Sequence, residues 1–388
     1  MVQEERTNRG FMSDIWLIFL GFQVLPASPM RPEAKSETHS STQSFKMPLL
    51  RFCVIGVPLL MILGCEQPEL ATLPVEISGR TMGTHYAVKL GVAPRLNTEI
   101  LAAELEQILE KLNQVFSTYQ TRSELSQLNQ HKTAGEHSLS MPLWNLLALA
   151  KALHEKSSGA FDVTVSPLVD LWGFGAQKRR SFSEIEQRLE QVLSLTGSEL
   201  YSLPTPGVLV KHDKELALDL SAIAKGYAVD VIANYLEGRG LQHYLVDIGG
   251  EIRTRGTNAS GRAWIVGIEK PIANERRVGW QMALGDKAMA SSGDYRNHFD
   301  YLGARYSHLI DPRNGRPIPT RNLTVTVVSE LATIADAWAT AMAVLGPEHG
   351  LALAEAERLA VQFVVGNKTY RSTAFDLLDV EIYEVGLH

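Results

Sequence analysis

The sequence predicts an α+β fold in which largely antiparallel or mixed sheets pack against helices, and three observations predict it. Past residue 256, short apolar runs at 263–268, 280–284, 287–290, 299–301, 306–310 and 324–328 follow one another too closely for the crossover helices that parallel strands need. Helical periodicity is concentrated instead at 101–115, 142–157, 223–236 and 333–345. Between these regimes, residues 216–256 read as strand, helix and strand with almost no slack, and they organise the rest.

Composition narrows the function classes. The 388 residues are 45% hydrophobic, enough for a sizeable core, and carry a formal charge of −6 with no basic run longer than Lys178-Arg179-Arg180, which argues against nucleic-acid binding. The two cysteines, Cys53 and Cys65, both lie in one apolar N-terminal segment, so the remaining chain has no disulfide, zinc-thiolate site or cysteine nucleophile. Its chemistry must use oxygen and nitrogen groups.

Taken in order, residues 1–46 are polar and irregular and are expected to be disordered or a mis-assigned extension. From Met47 one positive residue, Arg51, precedes an apolar run too short to span a bilayer comfortably, which predicts a signal peptide over 47–64. It resembles a bacterial lipoprotein signal, implying a start at Met47 and lipidation at Cys65, which would tether the chain outside the cytoplasm. Residues 65–74 are then a tether and 75–388 the folded domain.

Strands are expected at 75–78 and 85–90, flanking a glycine-punctuated turn at 79–84. Helices are expected at 101–115 and at 142–157, the second closed by Gly159. The aromatic-dense stretch 160–175 has no clean period and reads as a functional loop. Ser183 with Glu186 reads as a capping box, and 207–212 with 215–220 as a hairpin feeding the central helix. That helix is expected to start after Ser221 as N-cap, bury one face and end at Gly238 as C′ residue, and a strand over 241–247 leads to Gly249-Gly250, which permit positive φ or close approach of a ligand. The helix at 333–345 is expected to stop at Gly346, with Pro347 starting another, and strands at 360–365 and 375–385 close the fold.

No G-x-G-x-x-G, G-x-x-x-x-G-K-[ST], H-E-x-x-H or G-x-S-x-G occurs, which removes the common dinucleotide, NTPase, metalloprotease and hydrolase readings. The strand over 216–220 brings Asp219, Ser221 and Lys225 to one rim, where a helix N-terminus beside a lysine suits an anionic group. Asp336 and Thr340, four apart, share a helix face; both oxygens could meet one hard cation, or the threonine could bond back to its own helix.

Read together, the motifs Met82-Gly83-Thr84, Ser117-Thr118-Tyr119 with Ser123-Glu124-Leu125, the run Ser158 to Asp162, the run Asp219 to Tyr227, Asp247-Ile248-Gly249-Gly250, Ser291-Ser292-Gly293, His308 with Asp311-Pro312, and Thr333 through Thr340 resemble the ApbE family. The resemblance runs from about Ile77 to Val365 and departs at Asn314, where members commonly have threonine. It implies a T-fold-like architecture and an enzyme that binds FAD and Mg²⁺ and transfers FMN to a threonine hydroxyl of a partner protein, releasing AMP. The implied acceptors are subunits of membrane electron-transport complexes, and the implied location is the periplasmic face of the inner membrane.

The same resemblance implies flavin or adenine contacts at Met82, Tyr119, Ala160, Phe161 and Ile310, with Asp162, Asp219 and Lys225 as polar contacts. It also implies that Ala222, through its carbonyl, joins Asp336 and Thr340 as a metal ligand. His308 is the candidate general base, and Asp311 either takes the proton itself or orients the imidazole. Two rival readings keep the site but change its use: a metal-dependent FAD diphosphatase with water as acceptor, and a tethered flavin carrier that needs no metal.

Overall fold

The computed structural model describes residues 75–91, 96–175, 181–272, 275, 277–294, 298–301 and 304–385; the predicted start at Met47 and lipidation at Cys65 lie outside them. Eight strands build the main sheet: β1 (Val75–Thr81), β2 (Thr84–Leu90), β3 (Tyr244–Ile248), β4 (Glu251–Arg255), β5 (Ala288–Gly293), β6 (Leu323–Ser329), β7 (Ala360–Val365) and β8 (Lys368–Arg371). They lie side by side in chain order, and every neighbouring pair is antiparallel. The α+β expectation with antiparallel sheets therefore holds.

Helices are inserted between these strands: α1 (Thr98–Phe116), α2 (Met141–Lys156), α3 (Phe182–Leu193), α4 (Ala224–Gly238) and α5 (Ala332–Glu357). α4 and α5 pack on each other and on the sheet, so α4 is buried on more than one side: Gly226, Val229 and Ala233 are covered as well as the ridge of Ala228, Ile232 and Leu236. That corrects the single buried face. Gly226 permits the approach, because a Cβ there would meet the Ala332 carbonyl oxygen at 2.3 Å and Asp336 Cβ at 2.8 Å.

A smaller three-stranded sheet, His298–Tyr301, Ala304–Asp311 and Arg316–Pro319, leaves the main sheet between β5 and β6. Its Phe299 and Ile310 share an apolar cluster with Leu168, Leu171, Trp172 and Ile185, and Trp172 Nε1 donates to the Gly315 carbonyl at 2.7 Å. Another such sheet, Ile265–Glu269, Val278–Ala283 and Ile382–Glu384, packs Trp264, Trp280 and Met282 against Phe375.

Several local expectations change. The stretch 160–175 contains a short helix, Ser166–Trp172, because Pro167 in its first turn is compatible with helix and Gly173 ends it in the left-handed region. The capping box is Ser181 with Glu184, not Ser183 with Glu186, whose carboxylate pairs with Arg316 at 2.7 Å. Residues 216–220 are not a strand: Leu218 exchanges both backbone bonds with the Asn129 side chain, and Asp219 N–H donates to the Val163 carbonyl at 2.7 Å. Ser221 does not cap α4; the chain makes one more turn and α4 starts at Ala224 without a side-chain cap. Its positive φ at the other end belongs to Gly240, two residues beyond Gly238. The long final strand is instead a short helix, Thr373–Asp376, and the strand Ile382–Glu384. Gly346 does break its helix, with φ of 73° ahead of Pro347.

Candidate active site

Where α4 begins, three charged side chains from three elements converge. Lys225 Nζ on α4 lies 3.3 Å from Glu251 Oε1 on β4 and 3.5 Å from Asp336 Oδ1 on α5. The other Asp336 oxygen accepts the Gly226 N–H at 3.0 Å. Burial works against charge on Lys225, but the two carboxylates outweigh it and hold the ammonium pKa above its ordinary value. Glu251 is only 4% exposed, and burial, opposed by Lys225 and reinforced by Asp336, pushes its carboxyl above the ordinary carboxylate range. Gly249 and Gly250, both at positive φ, make the turn that delivers Glu251 to this position.

Thr340 stands one turn beyond Asp336 on the same face of α5, its hydroxyl 3.4 Å from Ser292 Oγ on β5. Asp336 is buried, Thr340 half-buried, and Ala222 sits half-buried in the turn before α4. The predicted metal ligands are thus oxygen groups only. Among the described residues no group of three or more His, Cys, Asp or Glu could hold a metal. One carboxylate, one hydroxyl and one carbonyl fit Mg²⁺ nonetheless, because that ion takes few protein oxygens and fills its octahedron with water and phosphate oxygens.

A residue that sequence reasoning missed holds this arrangement. Asp230, one turn after Gly226 and fully buried, accepts from Ala332 N at 3.0 Å, Thr333 N at 2.9 Å and Thr333 Oγ1 at 2.6 Å. It caps the N-terminus of α5 from a neighbouring helix, where Leu331 offers no side-chain cap. Arg253 on β4 donates to the same carboxylate at 3.0 Å. Burial disfavours the guanidinium charge, but Asp230, with Tyr244 and Glu237, outweighs it and raises the pKa. Asp230 therefore ties α4, α5 and β4, the elements that carry Lys225, Asp336 and Glu251. The available signal was a carboxylate on the helix face that also bears Gly226.

The loop from Ser158 to Asp162 reaches this region through the bond between the Val163 carbonyl and Asp219 N–H. Ala160 and Phe161 are buried, Phe161 at 2% exposure, so its ring supports the loop from within the core. Asp162 accepts from Thr164 N at 2.8 Å and Thr164 Oγ1 at 2.6 Å, and its second oxygen lies 3.2 Å from His154 Nδ1. Asp219 accepts the Ser221 N–H at 2.8 Å, forming the turn into α4. Met82, at φ of 47°, tips the β1–β2 hairpin, and Gly249 N–H donates to the His85 carbonyl at 3.0 Å, at the same end of the sheet. Tyr119 is 76% exposed in the loop after α1, which excludes it from the core.

Asp162 is the main cause that lifts the His154 pKa above 6.5, by its hydrogen bond, against a smaller loss from burial. A raised folded-state value means that the stabilisation from this pair is fully present below about pH 6.5 and is lost as pH rises through the folded value. Proton NMR titration of His154 should give a midpoint above 6.5, and the urea midpoint should be higher at pH 6 than at pH 8.5. A His154 midpoint at or below 6.5 contradicts the pairing.

His308 and Asp311 lie on the smaller sheet. His308 is half-buried, with the Phe174 ring edge-on at 6.3 Å and Ser307 Oγ 3.5 Å from Nδ1. The Asp311 carboxylate is turned to its own loop: both its oxygens accept from the Arg313 guanidinium at 2.8 Å, and Arg313 N adds a third bond at 3.0 Å. Asn314, where the family commonly has threonine, accepts the Arg316 N–H at 2.8 Å and keeps the turn's side-chain acceptor. Ile310 is buried in the apolar cluster beneath.

The profile of the ApbE family matches residues 82–364. An FAD:protein FMN transferase from Vibrio cholerae serotype O1 is 42% identical over 322 residues, 82% of this chain and 95% of its own. One from Escherichia coli K12 is 32% identical over 329 residues, 81% and 93% of the two chains. Among solved structures, the flavin transferase ApbE from Vibrio cholerae superposes with a TM-score of 0.73 at 41% identity, covering 78% of this chain and 98% of that one. The apo flavinyl transferase ApbE from Pseudomonas stutzeri gives 0.69 at 36% identity, covering 78% and 96%.

Proposed function

This chain belongs to the ApbE family, and from that membership and the site geometry we propose that it transfers FMN from FAD to a threonine hydroxyl of an acceptor protein, with Mg²⁺ bound and AMP released. The observation that carries the reading is the meeting of Lys225 and Asp336 at the uncapped start of α4, with Thr340 on the same face of α5. A helix N-terminus and an ammonium favour a diphosphate, and the oxygen groups of Ala222, Asp336 and Thr340 would hold the cation. Bound there, Mg²⁺ supplies neutralisation of the charge on the transferring phosphoryl group.

This chain's residues do the rest. His308 accepts the threonine proton as the new O–P bond forms and the anhydride P–O bond breaks, and AMP leaves with the bridging oxygen. Asp311, with both oxygens on Arg313, holds the turn that follows His308. Tyr119 offers an open ring face for a planar heterocycle, with Met82 and Ile310 as further apolar contacts; Ala160, Phe161, Asp162 and Asp219 shape the loop around it. The acceptors are subunits of membrane electron-transport complexes, and lipid on Cys65 keeps the enzyme at the periplasmic face of the inner membrane.

The test is intact-mass analysis of a candidate acceptor after incubation with the protein, FAD and Mg²⁺; the mass of one FMN should be added covalently to it. His308→Ala should retain FAD binding and lower the transfer rate by about 10² to 10⁴-fold. Near-normal turnover in that variant removes the proton role from His308.

A further inference from the structure

Among the described residues the Lys225 ammonium has three oxygen neighbours: Glu251 Oε1 at 3.3 Å, Asp336 Oδ1 at 3.5 Å and the Ser221 carbonyl at 3.5 Å. All three exceed the roughly 2.7–2.9 Å of a formed charge-assisted bond, so the ammonium is shared among them and docked on none. Asp336 Oδ2 is engaged by Gly226 N–H, which leaves Oδ1, the oxygen facing Lys225, as the one a cation would have to share. Among the described residues, meanwhile, the buried second oxygen of Glu251 has no hydrogen-bond partner. An unpaired buried carboxylate oxygen is unfavourable unless another state of the site uses it.

We propose that Glu251 is a positioning residue that takes the Lys225 ammonium off Asp336 when Asp336 engages the divalent cation. Lys225 then docks on both Glu251 oxygens, which satisfies the unpartnered one and separates two positive charges that would otherwise meet at Asp336 Oδ1. Nothing covalent changes; one ammonium moves between two carboxylates. The inference rests on the proposed reading in which Asp336 holds the cation.

The experiment titrates Mn²⁺ alone into the full-length protein, without FAD, and follows free Mn²⁺ by electron paramagnetic resonance. Glu251→Gln, which keeps shape and removes the charge, is expected to raise the Mn²⁺ Kd about tenfold or more, within the range of one close charge–charge interaction near a protein surface. Adding Lys225→Met to that variant is expected to restore affinity, because no ammonium remains to be relocated. Unchanged affinity in Glu251→Gln overturns the proposal. A loss that Lys225→Met does not restore makes Glu251 a direct ligand and overturns it too. If Glu251→Gln fails to fold, Lys225→Met alone decides: tighter Mn²⁺ binding than wild type is expected, and unchanged or weaker binding overturns the proposal. Absence of Mn²⁺ binding to the wild-type protein removes the cation reading of Asp336 and this inference together.

Discussion

Asp230→Ala is expected to destabilise the protein by about 3–5 kcal/mol, the usual cost of breaking a buried ion pair from one side, here together with the loss of a buried helix cap. The variant leaves the Arg253 guanidinium with only Glu237 and Asn234 as partners among the described residues and, at the same time, strands the Ala332 and Thr333 N–H groups that start α5. A chemical-denaturation midpoint measures it, and a fall of under about 1 kcal/mol, the scale of an ordinary surface change, contradicts the assignment. Removing Arg253 as well should recover little, because the α5 N–H groups still lack their acceptor. Any surviving folded Asp230→Ala protein should also bind Mg²⁺ poorly, since Asp336 sits one turn into the helix that Asp230 anchors.

The second large effect is on turnover. Asp336→Ala should lower transfer by a factor on the order of 10³, several kcal/mol of transition-state stabilisation, because Asp336 is the one carboxylate assigned to the cation. Asp336→Asn keeps an acceptor for the Gly226 N–H and so should preserve the α4–α5 contact while still losing activity. That comparison separates charge from packing. Chelation of the wild-type protein with EDTA should reproduce the defect, and Mn²⁺, similar in its oxygen preference, should restore it. Wild-type turnover indifferent to EDTA, or a fully active Asp336→Asn protein, contradicts the metal assignment.

Both predictions depend on features of unequal legibility. The i, i+4 spacing of Asp336 and Thr340 and the positive-φ demand of Gly249-Gly250 are local, so the sequence discloses them. Asp230 as the cap of α5 is not local: donor and acceptor are 102 residues apart, and capping rules look for the acceptor next to the helix it caps. The error at 216–220 has the same root. Alternating Leu216, Leu218 and Leu220 are all buried, as a strand pattern requires, yet the backbone partners are the Asn129 side chain and the Val163 carbonyl, which no period encodes. The burial of Glu251 is no more local, since it comes from the approach of Lys225 on α4 and of Asp336 on α5. The grouping of Ala222 with Asp336 and Thr340 is implied by family resemblance and by no spacing in the sequence.

The chain order of the main sheet has a kinetic consequence. Of the seven strand junctions, three (Thr81 to Thr84, Ile248 to Glu251 and Val365 to Lys368) are tight turns and three (Arg255 to Ala288, Gly293 to Leu323 and Ser329 to Ala360) carry intermediate insertions, whereas β2 ends at Leu90 and its partner β3 begins only at Tyr244. Loop-closure entropy grows only by about 0.6 kcal/mol per doubling of length, so the long insertion costs little at equilibrium. Its burden falls on rate, since distant pairings slow folding far more than they weaken the product. The β1–β2 hairpin, which carries Met82 at its tip, thus joins the sheet through its longest-range strand pairing, so the rim of the site rests on the contact that contributes most to slow folding.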